Sequence, residues 1–520
     1  MKKLRFIWVL IFAVMVGCSD SGPTDPDPGN KNDNEASAEK QFVWNAMNYW
    51  YYWQGDVTEL GDDYFDDDAA FNNYLKDFSD AEALFESLRH PDDDFSFFID
   101  DYEEFQDEQD GIFAALGFNY GFYYRKSPQE PELVGYVRYI IPDSPAEDAG
   151  LERLDLFTQV DGNKITVNNY LGLLTNDSAQ DLTLAKIDTS GGEVDYVKDK
   201  TVTVESQQVI EDPILTTKVV DTSGVKIGYL MYNSFQTNSH QDLNDVFADF
   251  KNQGVDELVL DLRYNGGGSV ITSQLLTSLI SGLGSSTKFG EFSYNEKRAA
   301  NNNREVFFLD EVPLENEEGE IERDNEGNFV NSEPMNNLSL NNVYILTSSG
   351  TASASETVIN SLLPHREVTY IGLKTVGKDE GSLTLYDAPA PYLDSDRANP
   401  DHKKAIQPIT LKIVNADGEA YPNGFAPNGY TPNGCADDAN DNCITEITLD
   451  NLLNKPKLGS TDEPLFSRAI DIITGQQAKR SLSADQIKME EIPLPSGLDA
   501  FRPHRQSMHI EPFMMPADKN

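Results

Sequence analysis

Residues Thr347-Ser348-Ser349-Gly350-Thr351-Ala352-Ser353-Ala354-Ser355-Glu356 stand between two apolar runs. Val343-Tyr344-Ile345-Leu346 precedes them, and a segment carrying Val358, Ile359, Leu362 and Leu363 follows. The first run is short and continuous, which reads as a buried strand; the second has helical spacing. A strand that feeds a helix through small residues is the repeating unit of an α/β layer. It also sets hydroxyl groups at a helix N-terminus, where the dipole and free amides favour negative charge. On this segment alone, a Ser/Thr-rich helix cap without chemistry is an equal reading.

Working outward, a second glycine-rich element follows another buried strand. Leu258-Val259-Leu260-Asp261-Leu262 runs into Arg263-Tyr264-Asn265-Gly266-Gly267-Gly268. The glycines allow positive φ and close approach of the backbone, so amides can point outward. No Gly-Lys-Ser/Thr follows, which excludes a phosphate loop. Val225–Tyr232 reads as a further strand, and Gln241–Asn252 as an amphipathic helix with Leu243, Val246, Phe247 and Phe250 on one side. A third motif, Lys374-Thr375-Val376-Gly377-Lys378, follows the apolar Thr369-Tyr370-Ile371-Gly372. The alternation predicts an α/β core over 207–475, with a polar, acidic insertion or loop at 300–340.

The three motifs together resemble the carboxyl-terminal processing (tail-specific) serine peptidases. That family has Asp-Leu-Arg-x-Asn-x-Gly-Gly after a strand, then Gly-Ser/Thr-Ala-Ser-Ala-Ser-Glu, then Lys-Thr-x-Gly-Lys, in this order. The resemblance extends over roughly 85–475. It implies a ClpP/crotonase-like α/β core in which Ser353 is the nucleophile and Lys378, 25 residues later, is the general base. The amides of Ala354 and of Gly267 or Gly268 are the candidates for the oxyanion hole. A lysine is a base only when neutral, and its unperturbed pKa of about 10.4 forbids that near neutrality. Burial and a nearby helix N-terminus would depress it. Lys374 is expected to be exposed. Two positions depart from the family: Ser382 stands where some members have a Gln that orients the lysine, and Pro364 where some have an Asp. Arg263 and Glu356 either organise the site by ion pairing or hold the fold. None of the six histidines has a recognisable triad setting, no paired-histidine metal spacing occurs, and no cofactor is implied.

Before this core, residues 113–206 alternate short apolar runs with turn residues, the pattern of a β-rich module. It resembles a PDZ domain. Ala115-Leu116-Gly117-Phe118 is similar to the carboxylate-binding loop, and Ser144-Pro145-Ala146 with Ala149-Gly150-Leu151 to the short helix that follows. Leu154-Asp155 replaces the usual Gly-Asp. The resemblance implies that a protein's C-terminus binds there by strand addition; a structural module without ligand is the alternative.

Residues 38–112 read as a small helical region. Val43, Met47 and Trp50 form one stripe, better suited to a core than to a ligand box. Residues 1–17 combine Lys2, Lys3 and Arg5 with an apolar run, Phe6–Val16, too short to span a bilayer. The run ends at Met15-Val16-Gly17-Cys18, which resembles a lipobox and implies lipidation at Cys18, with 18–37 a flexible tether. This places the protein in a bacterial cell envelope, at an outer membrane facing periplasm or cell surface. Cys435 and Cys443 suit a loop-closing disulfide in an exported protein. The acidic residues between them, Asp437, Asp438, Asn440 and Asp441, read as a solvated turn in preference to a calcium loop. Residues 476–520 show no pattern. The net charge of −48 excludes nucleic acid as a partner.

The function expected is a serine endopeptidase that cleaves exported proteins near their C-termini, with peptide or protein substrates as partners. A catalytically silent PDZ-bearing scaffold and a serine esterase or amidase are the alternatives.

Overall fold

A computed structural model describes residues 36–476, apart from 176–177, 318, 433 and 437–440, together with 489–492 and 508–515. The expected signal, the Cys18 anchor and the acidic positions 437, 438 and 440 lie outside the described residues. Among those described, no helix is long and apolar enough to cross a membrane.

The α/β core is built on a five-stranded sheet in the order β1 (Ile214–Thr222), β2 (Val225–Tyr232), β3 (Glu257–Asp261), β4 (Asn342–Thr347), β5 (Glu367–Gly372). The first pair is antiparallel and the others are parallel. Crossovers run through α1 (His240–Gln253), α2 (Val270–Ser281) and α3 (Ala354–Leu362). Strand side chains alternate between faces. Leu230, Tyr232, Leu258, Leu260, Val343 and Ile345 therefore meet the three helices through Phe247, Leu275 and Ile359. Tyr229, Met231, Val259 and Leu346 meet Leu465, Phe466 and Ala469 of α4 (Pro464–Ile473) on the other face. Every residue of α2 is buried, and the hydroxyls of Ser273, Thr277, Ser278 and Ser281 are satisfied by carbonyls of the preceding turn. Gly254 ends α1 in the left-handed conformation, φ 70°, where glycine escapes the Cβ penalty.

A second sheet, Arg304–Phe307, Lys288–Tyr294, Ile409–Asn415 and Glu380–Ser382 in that order, stands beside the first. The helices Ala38–Trp50 and Ala81–Leu88 share its core: Phe42, Met47, Trp50 and Phe85 cluster with Phe289, Phe292, Leu411 and Ile413. The aromatic stripe is thus core. Phe97–Ile99 pairs with Ala405–Gln407, which carries Phe95 toward the α/β core. Within the expected polar insertion, Glu311–Pro313 and Ser332–Pro334 pair as a short antiparallel ladder with Val312 buried.

Residues 118–204 form a separate antiparallel sheet around Phe118, Phe122, Val137, Phe157 and Leu182. Ile112–Ala115 and Gln207–Ile210, paired antiparallel, join it to the core. Ser144 caps the short helix Pro145–Asp148. Leu154 adopts φ 62°, a left-handed conformation that glycine takes without penalty. That costs a non-glycine residue about 1 kcal/mol or more. Cys435 and Cys443 form a disulfide.

Candidate active site

Strand β4 ends at Thr347, and the chain turns into α3 through Ser353, whose φ of 65° and ψ of −119° are rare for a residue with a side chain. Such a turn costs on the order of 1–3 kcal/mol and persists only where its surroundings over-determine it. Here they do. Thr351 Oγ1 donates to Leu262 O (2.9 Å), Ser355 Oγ to Asn265 O (3.0 Å), and Ser348 Oγ to Arg263 O. Ala352 N donates to Asn265 O (3.2 Å). The two glycine-rich elements, 85 to 90 residues apart in sequence, are thereby stitched edge to edge.

The stitching sets Gly267 against Ser353. A Cβ at Gly267 would lie 2.7 Å from Ser353 Cβ, 3.0 Å from its Oγ and 3.1 Å from Ala354 N. Only glycine fits, and its φ of 117° demands glycine too. Of the two glycine amides expected to face a carbonyl, Gly267 N–H is engaged by Asn265 Oδ1 at 2.8 Å. Asn265 itself donates from Nδ2 to Tyr232 O (2.9 Å), fixing the loop on β2.

Glu356 is fully buried and acts as the clamp of the site. Its Oε2 accepts from Ser353 N and from Lys378 N, both at 2.9 Å. Its Oε1 accepts from Thr375 Oγ1 (2.5 Å) and Gly377 N (2.7 Å). One carboxylate therefore holds the backbones of both expected dyad residues. Burial pushes its pKa up to about 7, against the four hydrogen bonds that favour the anion. Gly377, at φ 98°, leaves no room for a Cβ, which would meet Gly424 N and Pro422 O at 2.6 Å. Thr375 Oγ1 also accepts from Phe425 N (2.8 Å), locking the lysine loop to the 421–425 turn.

Lys378 is 2% exposed, and its Nζ lies 4.6 Å from the centre of the Phe95 ring. Ser353 is wholly buried, and its Oγ has no hydrogen-bond partner. Sequence reasoning misses Phe95, Asn265 and Thr375. Asn265 and Thr375 sit inside the quoted motifs, so a signal for them exists; Phe95 is some 280 residues away and nothing local marks it.

Ser382 Oγ donates to Met508 O (2.8 Å) and accepts from Gln407 Nε2 (2.9 Å). Of the two roles open to Arg263, ion pairing within the site or holding the fold, its contacts fit the second, and it does not pair with Glu356. All five of its N–H groups reach Asp261, Glu446 and Glu463, because the guanidinium points to the α4 face of the sheet while Glu356 lies on the other. Half-buried Lys374 has its Nζ 6.0 Å from the Tyr430 ring. His240 is buried, with Nδ1 at Pro313 O (2.8 Å) and Nε2 at Thr272 Oγ1 (2.7 Å). Burial drives its pKa down to about 4, so it is a neutral core residue.

Gly117, at φ 89°, lies over Ser144, which would meet a Cβ at 2.4 Å. Ser144 Oγ and Ile141 N both donate to Gly117 O (3.0 and 2.9 Å). The loop Ala115-Leu116-Gly117-Phe118 is thus anchored at the mouth of the antiparallel module, with Leu116 and Phe118 in its core. Among the described residues no cluster of His, Cys, Asp and Glu is arranged to hold a metal ion.

Residues 226–389 match the family description "Peptidase family S41", and 38–97 match "Peptidase S41 N-terminal domain". A curated relative from Staphylococcus haemolyticus, named "Probable CtpA-like serine protease", is 22% identical over 79% of this chain and 72% of its own length. A "Carboxyl-terminal-processing protease" from Picosynechococcus is 34% identical over 25% of this chain and 30% of its own length. A solved structure from Bacteroides fragilis, described as a candidate S41 protease, superposes with a TM-score of 0.59. It is 24% identical and covers 83% of this chain and 97% of that one.

Proposed function

We propose that the chain, which matches peptidase family S41 over residues 226–389 and its N-terminal domain over 38–97, is a serine endopeptidase working through a Ser353/Lys378 dyad. The observation that carries this reading is the shared oxygen of Glu356, which holds the amides of both residues. Lys378 takes the proton of Ser353 Oγ as that oxygen attacks a peptide carbonyl. The amine then delivers the proton to the leaving nitrogen, and water releases the acyl-enzyme. Removal from water disfavours an ammonium, which suits a buried lysine to the role of base.

The developing oxyanion is received by Ala354 N–H, a first-turn amide of α3 without an intrahelical acceptor, and by Gly268 N–H. Gly267 serves by its lack of a side chain and not as a donor, since its amide is taken by Asn265. Glu356 positions the dyad. The core is of the ClpP/crotonase-like kind, and residues 113–206 act as a PDZ-like domain that takes a substrate's C-terminus along the edge of Phe118–Tyr124. Lipidation at Cys18 tethers the enzyme in a bacterial envelope, where exported proteins are its substrates.

The test is intact-mass spectrometry after treatment with a fluorophosphonate, beside an assay on denatured casein. Stoichiometric labelling at Ser353, lost in Lys378→Ala together with casein cleavage, is the expected result. Cleavage that persists in Ser353→Ala overturns the dyad. Hydrolysis of small acyl esters without casein cleavage would favour the esterase alternative.

A further inference from the structure

A nucleophile that no solvent touches cannot meet a substrate carbonyl, and Ser353 Oγ is in that condition. What lies across the site comes from late in the sequence. His509 N donates to Gly268 O (3.2 Å), and Val270 N donates to His509 O (3.0 Å). On its other edge, Ser382 N donates to Met508 O (2.9 Å) and Ile510 N to Ser382 O (3.1 Å). Met508–Ile510 is therefore an extended strand inserted between the glycine-rich loop and Ser382, bridged in parallel to both. It joins the two edges through its own main chain.

Side chains along a strand alternate. Met508 and Ile510 are buried in the core shared by the second sheet and the N-terminal helices. Met508 Sδ lies 3.2 Å from Thr357 Oγ1, and Thr357 N donates to Ser353 O (2.8 Å). His509 points the other way, with Nε2 3.5 Å from Glu511 Oε1. Glu511 in turn accepts from Ser269 Oγ. Phe513 sits against Phe329, with ring centres 6.4 Å apart. An upstream part of the same region repeats the device. Glu491 and Ile492 add antiparallel to Tyr123 and Phe122 at the free edge of the antiparallel module, and Tyr124 N donates to Glu490 O (3.0 Å). That edge is the one along which a PDZ-like domain would take a ligand.

We propose that the groove between Gly268–Val270 and Ser382 is the subsite that binds an extended peptide by strand addition, and that Met508–Ile510 of this chain occupies it as an internal competitor. The ligand class follows from the contacts. Four of the five hydrogen bonds are backbone to backbone, and the fifth, from Ser382 Oγ, also ends on a backbone carbonyl. The groove thus reads a polypeptide by its main chain and leaves discrimination to the pocket that holds Met508, suited to an unbranched apolar side chain. With the competitor seated, the enzyme is closed; a substrate must displace it. This inference rests on the dyad reading.

The test uses the full chain. His509→Pro removes the donor to Gly268, and Ile510→Pro the donor to Ser382. Each is expected to raise the rate of Ser353 labelling by a fluorophosphonate, and of casein cleavage, at least tenfold. A synthetic peptide with the sequence of 506–515 should restore the low rate in a saturable manner. If a proline variant is unstable, Glu511→Ala, which removes the acceptor of Ser269, serves instead. Amide hydrogen exchange reports docking separately. Protected Met508–Ile510 amides with equal labelling in parent and variants would overturn the competitor and spare the dyad. Protected amides with no Ser353 labelling in any chain would overturn the dyad, and the competitor with it.

Discussion

Two buried polar clusters flank the Asp-Leu-Arg-x-Asn motif, and they are built on opposite rules. On the α4 face, Arg263 spends all five N–H groups on Asp261, Glu446 and Glu463, and Glu446 also takes Arg153 at 2.6 Å and the hydroxyl of Tyr264. Burial acts to raise the pKa of Glu446, yet Arg153 and Arg263 outweigh it and hold the carboxyl down at about 2. On the α3 face, Glu356 binds only amides and one hydroxyl, while the Ser353 hydroxyl it positions makes no hydrogen bond. The saturated cluster fixes the fold. The one left with an unmade bond is where a reaction can occur, since a group already satisfied has little to gain from a substrate.

The contrast can be broken from either side. Ser353→Ala should lower casein turnover by at least about a thousandfold, as loss of a nucleophile does, and leave the thermal midpoint within a few degrees. A comparable loss of stability would place Ser353 among the structural residues. Arg263→Ala leaves Asp261 and Glu463 without their countercharge and should cost about 3–5 kcal/mol in denaturant unfolding, the range for breaking a buried ion pair. An unfolding midpoint like the parent's would show that the cluster is not the fold's anchor. Gly267→Ala drives a Cβ to 2.7 Å from that of Ser353. It should reduce fluorophosphonate labelling about tenfold or more, with a penalty near 1–3 kcal/mol for the backbone conformation; unchanged labelling would detach Gly267 from the site.

The smallest effect is one of pH. Glu356 has a pKa raised to about 7 by burial, so its neutral form is favoured in the folded state. The stability it contributes is complete below the ordinary glutamate range and is lost as pH rises through about 7. The distance between the ordinary glutamate pKa and that raised value bounds the loss at about 3 kcal/mol. Thermal midpoints measured from pH 4.5 to 8.5 should fall more steeply in the parent than in Glu356→Gln. Parallel curves would mean that the four hydrogen bonds, and not burial, govern this carboxyl.

Much of this molecule is determined by sequence alone. Continuous apolar runs such as Leu258–Leu260 and Val343–Leu346 specify buried parallel strands, and the small residues after β3 and β4 specify tight turns into helices. Both are local demands of backbone geometry and burial, which is why the α/β order is legible; Ser353, Gly267 and Lys378 are marked by the resemblance of their motifs to a family. What Arg263 pairs with is not legible. Its partners, Glu446 and Glu463, are about 180 and 200 residues away, and local chemistry cannot tell an acid on one face of a sheet from one on the other. Phe95 beside Lys378 and Met508–Ile510 between Gly268 and Ser382 are of the same kind. Neither carries a motif, because a packed ring or an added strand is recognised by position and main-chain bonds, and only the folded chain brings those into register.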